Sequence, residues 1–153
     1  MSVTGTSGTT IYLGSTTVMA NVTAYDAETW TKVGNVQEVA GDIGSDFNLV
    51  TYPDLETGAN RYAKGSEERG MLSLTVTFDA SDSGQSALEA ALSSPSAHNV
   101  KIELPDTGGT NGTTFYFAGL VKKGAAQVGG LDNMVTYIVD IQRTSDLIQK
   151  ASA

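Results

Sequence analysis

The clearest alternation of hydrophobic and polar positions in this chain lies at residues 71–79. From residue 72 onward, every second residue is hydrophobic and the residues between are polar: Leu72, Leu74, Val76 and Phe78 against Ser73, Thr75, Thr77 and Asp79. A period of two places all the hydrophobic side chains on one face of an extended chain. The segment therefore predicts a β-strand with one buried face and one polar face.

Three further segments, residues 98–104, 113–121 and 134–142, show a similar alternation. The first two flank a turn-forming cluster at residues 106–112, which predicts that they pair as a hairpin. The third segment has two faces: Val135, Tyr137, Val139 and Ile141 on one, and Thr136, Asp140 and Gln142 on the other, together with Ile138. Residues 30–36 predict a strand interrupted by a turn at Gly34 and Asn35.

One helix is predicted at about residues 83–93. Asp82 is a favoured N-cap residue, and Gln85 follows it three positions later in a capping-box pattern. A hydrophobic stripe follows at spacings of three and four residues, and Pro95 marks the end: Ala87, Leu88, Ala91 and Leu92. The stripe predicts that the helix packs against a sheet.

A long loop is predicted at about residues 41–70, because the segment is rich in Gly and acidic residues. It contains one short candidate strand, residues 47–52. Its aromatic and basic residues predict contacts with a partner: Phe47, Tyr52, Arg61, Tyr62 and Lys64. An ordinary solvated loop is the alternative interpretation.

These elements predict a mainly β fold, either a β-sandwich or a partly open barrel, with one flanking helix. Of the first 17 residues, 12 are Ser, Thr or Gly, which predicts an extended N-terminal arm at residues 1–20. A frayed terminus is the alternative there. The remaining expectations are a single domain at residues 21–143 and a C-terminal tail at residues 144–153.

Composition narrows the possible functions. The chain has 153 residues, 40% of them hydrophobic, and a formal net charge of −8, which suits one domain and argues against tight binding to nucleic acid or to anionic membranes. Neither a signal peptide nor a stretch of about 20 apolar residues occurs. We therefore expect a soluble protein without a membrane anchor.

The sequence offers little for catalysis, and we expect neither an enzyme nor a bound metal or cofactor. There is no Cys and only one His, His98, whose place beside Val100 in a predicted strand is typical of a structural residue. A Gly-x-Ser-x-Gly elbow and a phosphate-binding loop are both missing. The acids of residues 79–84 do not have calcium-loop spacing. A pair of carboxylates of the glycosidase type stays open, since sequence cannot show which acids approach each other.

Several segments, taken together and in order, resemble the major tail tube proteins of long, flexible-tailed bacteriophages and related gene-transfer particles. They are WTKVGNVQE at 30–38, DIG at 42–44, TYPD at 51–54, RYAKG at 61–65, GMLSLTV at 70–76 and DSGQSAL at 82–88. The similarity rests on order and spacing rather than on one motif. It covers residues 30–92, with a compatible strand pattern to residue 142.

This resemblance implies a structural subunit that forms hexameric rings, which stack into a tube through which double-stranded DNA passes without specific binding. The loop at 41–70 would bridge stacked rings, and both termini would contact neighbouring subunits. The implied partners are further copies of the chain, a tape-measure protein, a tail-tip or baseplate complex, a tail terminator and a tail assembly chaperone. The implied location is the virion tail, assembled in the bacterial host cytoplasm.

The polar faces of two predicted strands are candidates for the lumen of such a tube: Ser73, Thr75, Thr77 and Asp79 on one, and Thr136, Asp140 and Gln142 on the other. Contact with solvent or with another subunit would explain those faces equally well. Two other functions also remain open: the tube of a contractile tail or type VI secretion-like system, and a capsid decoration or adhesion module.

Overall fold

The computed structural model describes residues 8–17, 19, 21–105 and 112–151, and the fold is mainly β. Its elements in chain order are Thr10–Leu13 (β1), Val22–Asp26 (α1), Thr31–Val33 (β2), Val36–Pro53 (β3), Asn60–Thr77 (β4), Ser83–Ser93 (α2), His98–Glu103 (β5), Thr114–Gln127 (β6), Thr136–Arg143 (β7) and Ile148–Lys150 (β8).

The described strands form one antiparallel sheet, ordered β2-β1-β5-β6-β7-β4-β3, with β8 paired to the first part of β6. The two edge strands of this sheet, β2 and β3, are consecutive in the chain and separated only by Gly34 and Asn35. The sheet therefore curls until its two edges meet at Gly34 and Asn35, which we call the corner. Of the two predicted alternatives, β-sandwich and partly open barrel, this arrangement is the partly open barrel.

One hydrophobic core fills the interior of the curled sheet. Its side chains come from β1, β2, β4, β5, β6, β7 and α2, and several are completely buried: Leu74, Val76, Ala91, Val100, Phe117 and Val139. The predicted alternation of residues 72–76 and 137–141 is confirmed, because alternate hydrophobic positions are buried and the positions between them, polar apart from Ile138, are only partly buried. The predicted pairing of residues 98–104 with 113–121 is also confirmed, with Val100 opposite Phe117. Its turn at residues 106–111 lies outside the described residues.

Helix α2 fastens the corner where the sheet edges meet. The Asp82 side chain accepts hydrogen bonds from the backbone N–H groups of Gln85 (2.9 Å) and Gly34 (3.1 Å), so one carboxylate caps the helix and binds the corner. Gln85 is buried, and its amide reaches the Thr77 carbonyl, the Gly34 carbonyl and the Asp79 N–H. The predicted N-cap is confirmed, and its side chain also closes the barrel.

A second, shorter helix that the sequence did not predict, α1, covers the outer surface of β6. Tyr25 of α1 stacks on Tyr116 with ring centroids 4.9 Å apart, and Trp30 lies 5.9 Å from the same ring. The Tyr116 hydroxyl donates to Asp26 (2.8 Å), and Lys150 of β8 pairs with the same carboxylate (3.0 Å). Burial in this cluster raises the pKa of Tyr116, and the hydrogen bond to Asp26 raises it further.

The predicted loop at residues 41–70 is wrong in form, because the segment is a long β-hairpin made of β3 and β4, 18 residues each. The glycines that suggested a loop are required by close strand contact: a Cβ atom on Gly70 would overlap the Asp42 carbonyl oxygen, and Gly41 has a φ of 90°. The pairing shifts register between Asp42 and Ser45, as in a β-bulge.

Both predicted end segments contribute strands. Within residues 1–20, Thr10–Leu13 is β1, which lies between β2 and β5 with Ile11 and Leu13 in the core, so this part is a sheet strand and not an arm. Residues 1–7 lie outside the described residues. Within residues 144–153, Ile148–Lys150 is β8.

Candidate assembly surfaces

The outer face of a four-stranded part of the sheet is the first candidate surface. It is formed by the second half of β6, β7, β4 and the first half of β3, in that order. Six of the seven predicted lumen residues lie on this face. They are Ser73, Thr75 and Thr77 on β4 and Thr136, Asp140 and Gln142 on β7.

Strand register brings these six residues together in rows. Ser73 is opposite Asp140, and its hydroxyl donates to that carboxylate at 2.8 Å. Thr77 is opposite Thr136. The amide of Gln142 donates to the carbonyl oxygens of Arg69 (2.8 Å) and Gly70 (3.2 Å), which fixes β7 to the base of the hairpin. The result is a mainly polar surface, interrupted by Ile138 and Met71, behind the core-facing side of the same strands.

Asp79, the seventh predicted lumen residue, does not share this face. Strand β4 ends at Thr77, and the chain then turns towards α2. The Asp79 carboxylate accepts hydrogen bonds from the N–H and hydroxyl of Ser81 and from the Asn35 amide, which together lower its pKa. Its role is therefore in the turn before the helix, because the predicted alternation runs two residues beyond the strand.

Sequence reasoning missed the residues that β3 and β6 add to the polar face. Glu38 is opposite Thr75, Asp42 is opposite Met71, and Lys123 is opposite Asp140. With Asp140, the face therefore carries three acids and one Lys in these rows. Residues 36–44 gave no usable alternation, because bulges shift their register, so the sequence had no signal that placed Glu38 and Asp42 beside Thr75 and Met71.

Two free edges bound this four-stranded sheet. In the described part of the chain, β3 pairs only with β4, and residues 120–127 of β6 pair only with β7. An edge strand presents unpaired backbone N–H and C=O groups to any strand that approaches. Two further copies of the chain, one at each edge, would be needed to pair both edges, since the edges lie on opposite sides of one sheet.

The second candidate surface is the part of the hairpin beyond the barrel, residues 45–69, which we call the distal hairpin. It contains all five predicted contact residues: Phe47, Tyr52, Arg61, Tyr62 and Lys64. One of its faces carries Leu49, Thr51, Tyr62 and Lys64, because residues opposite each other in register share a face. The Lys64 ammonium lies 4.7 Å from the Phe47 ring centroid, which places Phe47 there too.

The other face of the distal hairpin carries Val50, Ala63, Tyr52 and Arg61. Arg61 binds the Asp54 carboxylate at 2.5 Å, close to the turn that joins the strands. Both faces are exposed, with Leu49 68%, Val50 51% and Tyr62 65% accessible. A hairpin of this kind, with apolar side chains exposed on both faces, is only marginally stable by itself in water.

Arg143, at the end of β7, holds the base of the distal hairpin. Its guanidinium is buried and donates to the Gly44 carbonyl (3.1 Å), the Ser45 hydroxyl (2.5 Å) and the Ser145 carbonyl (2.7 Å). Burial lowers the pKa of Arg143, and the nearby Arg69 lowers it further. Arg143 was not part of any predicted site, and nothing in its sequence context marks it as important.

Arg69 links the hairpin base to the C-terminal segment. Its guanidinium binds Glu67 (2.7 Å) and Asp146 (3.2 Å) and donates to the Thr144 carbonyl. The hydrogen bond from Arg69 is the largest influence that lowers the pKa of Glu67, and the charges of Arg69 and Arg143 act in the same direction. The direction of the hairpin is thus set by two Arg residues at its base.

The described residues contain no group of three His, Asp or Glu side chains placed to hold a metal ion. Neither of the two helices described could span a bilayer. His98 is partly buried, with Nδ1 3.2 Å from the Ser96 carbonyl oxygen.

Solved structures of other proteins share this arrangement of strands and helices. A chain from the cryo-EM structure of the sheath/tube terminator of an extracellular contractile injection system, PVC, in its extended state superposes with a TM-score of 0.73. The two chains are 11% identical, and the match covers 99% of each. The chain has the tail-tube fold.

Two further tail structures share the fold. The tail of a gene transfer agent particle, computed with helical refinement and C6 symmetry, matches with a TM-score of 0.62, 12% identity and coverage of 94% of this chain and 95% of that one. The SPP1 tail tube matches with a TM-score of 0.62, 14% identity and coverage of 94% and 77%. No family model and no curated protein sequence matches the chain.

Proposed function

We propose that this chain is a structural subunit of a tail tube, which assembles into stacked hexameric rings that conduct double-stranded DNA, and that it catalyses no reaction. The observation that carries the proposal is the four-stranded sheet with two free edges and one polar outer face. In a monomer, the backbone groups at both edges of this sheet are unpaired. In a tube, edge strands of neighbouring subunits would pair with each other and satisfy these groups.

Ring closure follows from the two edges. The outer edge of β3 in one subunit pairs with the free edge of residues 120–127 in the next, and the operation repeats around a closed circle. Closure removes every exposed edge of that sheet. Six-fold order is supported by the C6 symmetry with which the similar gene transfer agent tail was computed.

The polar face lines the channel in this arrangement. Ser73, Thr75, Asp140 and Gln142 would meet the DNA, and the acids Glu38 and Asp42 extend the negative surface towards the subunit boundary. The whole chain carries a net charge of −8. A negatively charged wall repels phosphates, so DNA passes without being held.

The distal hairpin joins stacked rings. Its two exposed apolar faces are costly in a free subunit and become buried when a neighbour covers them. A head-to-tail contact of this kind repeats without closing and produces a filament. The remaining partners that we propose are a tape-measure protein, a tail-tip or baseplate complex, a tail terminator and an assembly chaperone. The site of the protein is the virion tail, assembled in the host cytoplasm.

A long, flexible-tailed phage or gene-transfer particle is our first proposal for the particle itself. The tube of a contractile device is the second, and a specific observation supports it: chains from the PVC sheath/tube terminator and from the PVC sheath-tube complex superpose with TM-scores of 0.73 and 0.68, against 0.62 for the SPP1 tail tube. The presence or absence of a sheath protein in the particle distinguishes these two proposals. Purified particles that contain this chain together with a sheath protein would assign it to a contractile device.

Negative-stain electron microscopy of the purified protein at high concentration, with size-exclusion chromatography alongside, tests the proposal. We expect six-fold rings or hollow tubes, either spontaneously or after a tail-tip complex is added as an initiator. A protein that remains a monomer in both conditions contradicts the tube subunit.

A further inference from the structure

An apolar surface lies at the end of the barrel opposite the distal hairpin. Strand β4 runs from the hairpin to Thr77, which is paired with Thr136 at the start of β7, and Thr136 is also paired with Gln127 at the end of β6. The loop of residues 128–135, which joins β6 to β7, is therefore at the far end of the same strands. We call this loop the end loop.

The end loop exposes hydrophobic side chains that no described residue covers. Val128 is 80% exposed, Met134 is 67% exposed, and Leu131 is fully exposed. Val128 and Met134 line a cleft of about 670 Å³ together with Asp132, Asn133, Gln37 and Thr136. Apart from Phe78, beside the end loop, and Leu120, on the barrel, the large hydrophobic side chains exposed in the described residues belong to the distal hairpin or to this loop.

We infer that, in a stack of subunits, the distal hairpin of one copy docks in the end-loop cleft of the next copy, with Lys64 beside Asp132; this inference rests on the proposed function. A head-to-tail stack of identical subunits needs two complementary surfaces at opposite ends of the molecule. Among the described residues, the distal hairpin and the end loop are the two surfaces with several exposed large hydrophobic side chains that meet this condition.

Charge selects the hairpin face that docks. Arg61, on one face, is already paired with Asp54. Lys64, on the other face, contacts the Phe47 ring and has no carboxylate partner among the described residues. Asp132 in the cleft likewise forms no ion pair there. The face with Leu49, Tyr62 and Lys64 thus supplies apolar side chains and a cation to a mainly polar cleft that offers Val128, Met134 and an anion.

Site-directed cross-linking tests the contact, since the chain has no Cys that would interfere. Thr51 lies on the docking face and Asn133 lies in the cleft. We expect a mixture of the Thr51→Cys and Asn133→Cys proteins to form cross-linked pairs with a short thiol cross-linker once tubes have assembled. Ala63→Cys, on the opposite hairpin face, is the matched control, and its cross-linking to Asn133→Cys should be several-fold weaker.

Charge exchange provides a second readout. Lys64→Asp and Asp132→Lys should each raise the protein concentration needed for tube formation by about tenfold, and the double variant should restore most of the loss. Lys32→Asp, which makes the same charge change at an exposed position on β2, should leave stacking unchanged. Rings should form in all of these variants, because the lateral edges are intact.

The failures of the two proposals are distinguishable. Wild-type tubes that give no Thr51–Asn133 cross-link, with single charge variants that stack normally, overturn the docking contact and leave the tube function in place. A wild-type protein that makes neither rings nor tubes with an initiator present overturns the tube function and the docking contact together.

Discussion

Strand β4 passes through two environments, the hydrophobic core of the barrel and the exposed distal hairpin, and the two parts of the strand differ in what surrounds their side chains. In residues 72–76, the hydrophobic side chains are at most 2% exposed and pack in the core. In residues 60–69, the same strand has left the barrel, and β3 is its only pairing partner. The first part packs in the core of the subunit, whereas the second part has no core to pack against and leaves large hydrophobic side chains exposed.

Truncation of one large side chain in each environment should give the largest contrast. Leu74→Ala, in the core, should reduce the free energy of unfolding by about 2–5 kcal/mol, because it removes buried methyl groups and leaves a cavity. Leu49→Ala, in the distal hairpin, should change it by less than about 0.5 kcal/mol. Chemical denaturation of the monomer measures both. Equal losses would show that the hairpin is packed within the free subunit.

The barrel corner should be the next most sensitive position. Gln85→Ala leaves the Thr77 and Gly34 carbonyls and the Asp79 N–H without their buried partner, and should cost about 2 kcal/mol of unfolding free energy. Gln37→Ala, at an exposed position on β3, is the matched control and should cost less than about 0.5 kcal/mol. A loss in the Gln85 variant no larger than in the control would mean that α2 does not fasten the corner.

The hairpin base should respond locally rather than globally. Arg143→Met removes the hydrogen bonds to Gly44 and Ser45, so amide hydrogen exchange at residues 44–47 and 67–70 should quicken by about tenfold. Exchange at residues 72–76 should change little. Arg61→Met, which removes only the ion pair near the hairpin turn, is the control. Slowed or unchanged exchange at the base would contradict the role given to Arg143.

The smallest expected effect is a pH dependence at the α1 surface of the barrel. The hydrogen bond from Tyr116 and the ion pair with Lys150 lower the pKa of Asp26. The folded protein therefore binds that proton less readily than the unfolded chain, so Asp26 contributes stability above the unfolded pKa of about 3.9 and loses it as the pH falls through the lowered value.

Asp26→Asn should accordingly be less stable than the wild type at pH 7, with a difference that shrinks in acid. Denaturation of both proteins from pH 7 downward measures it, and Lys150→Met should reproduce part of the loss at neutral pH. A difference that grows as the pH falls would have the wrong sign for a carboxylate with a lowered pKa.

The same contrast explains what the sequence could predict. Helix α2 and the core half of β4 were predictable, because a period of 3.6 or of two is imposed by one buried face, and Asp82 marks the helix start. Within the polar face, residues 73–77 and 136–142 were found for the same reason. Asp79 was misplaced because the alternation in the sequence does not stop where the strand does.

The hairpin was not predictable as a strand pair, because no core imposes a period on it. Gly41 and Gly70, which suggested a loop, instead allow close strand contact at a bulge. The positions of Glu38 and Asp42 depend on the bulged register, which is a tertiary property. The position of the end loop and the contacts of Arg143 with the hairpin base were missed because both depend on how strands distant in the sequence pair in the folded sheet.

A cryo-EM reconstruction of assembled particles tests the central claim most directly, since it shows which surface of the subunit faces the channel. The account predicts a tube wall built from the β6-β7-β4-β3 sheet, with Thr75 and Asp140 facing the lumen and the distal hairpin crossing to the next ring. An assembly in which that sheet faces outward, or in which the hairpin remains within its own ring and in solvent, would contradict it.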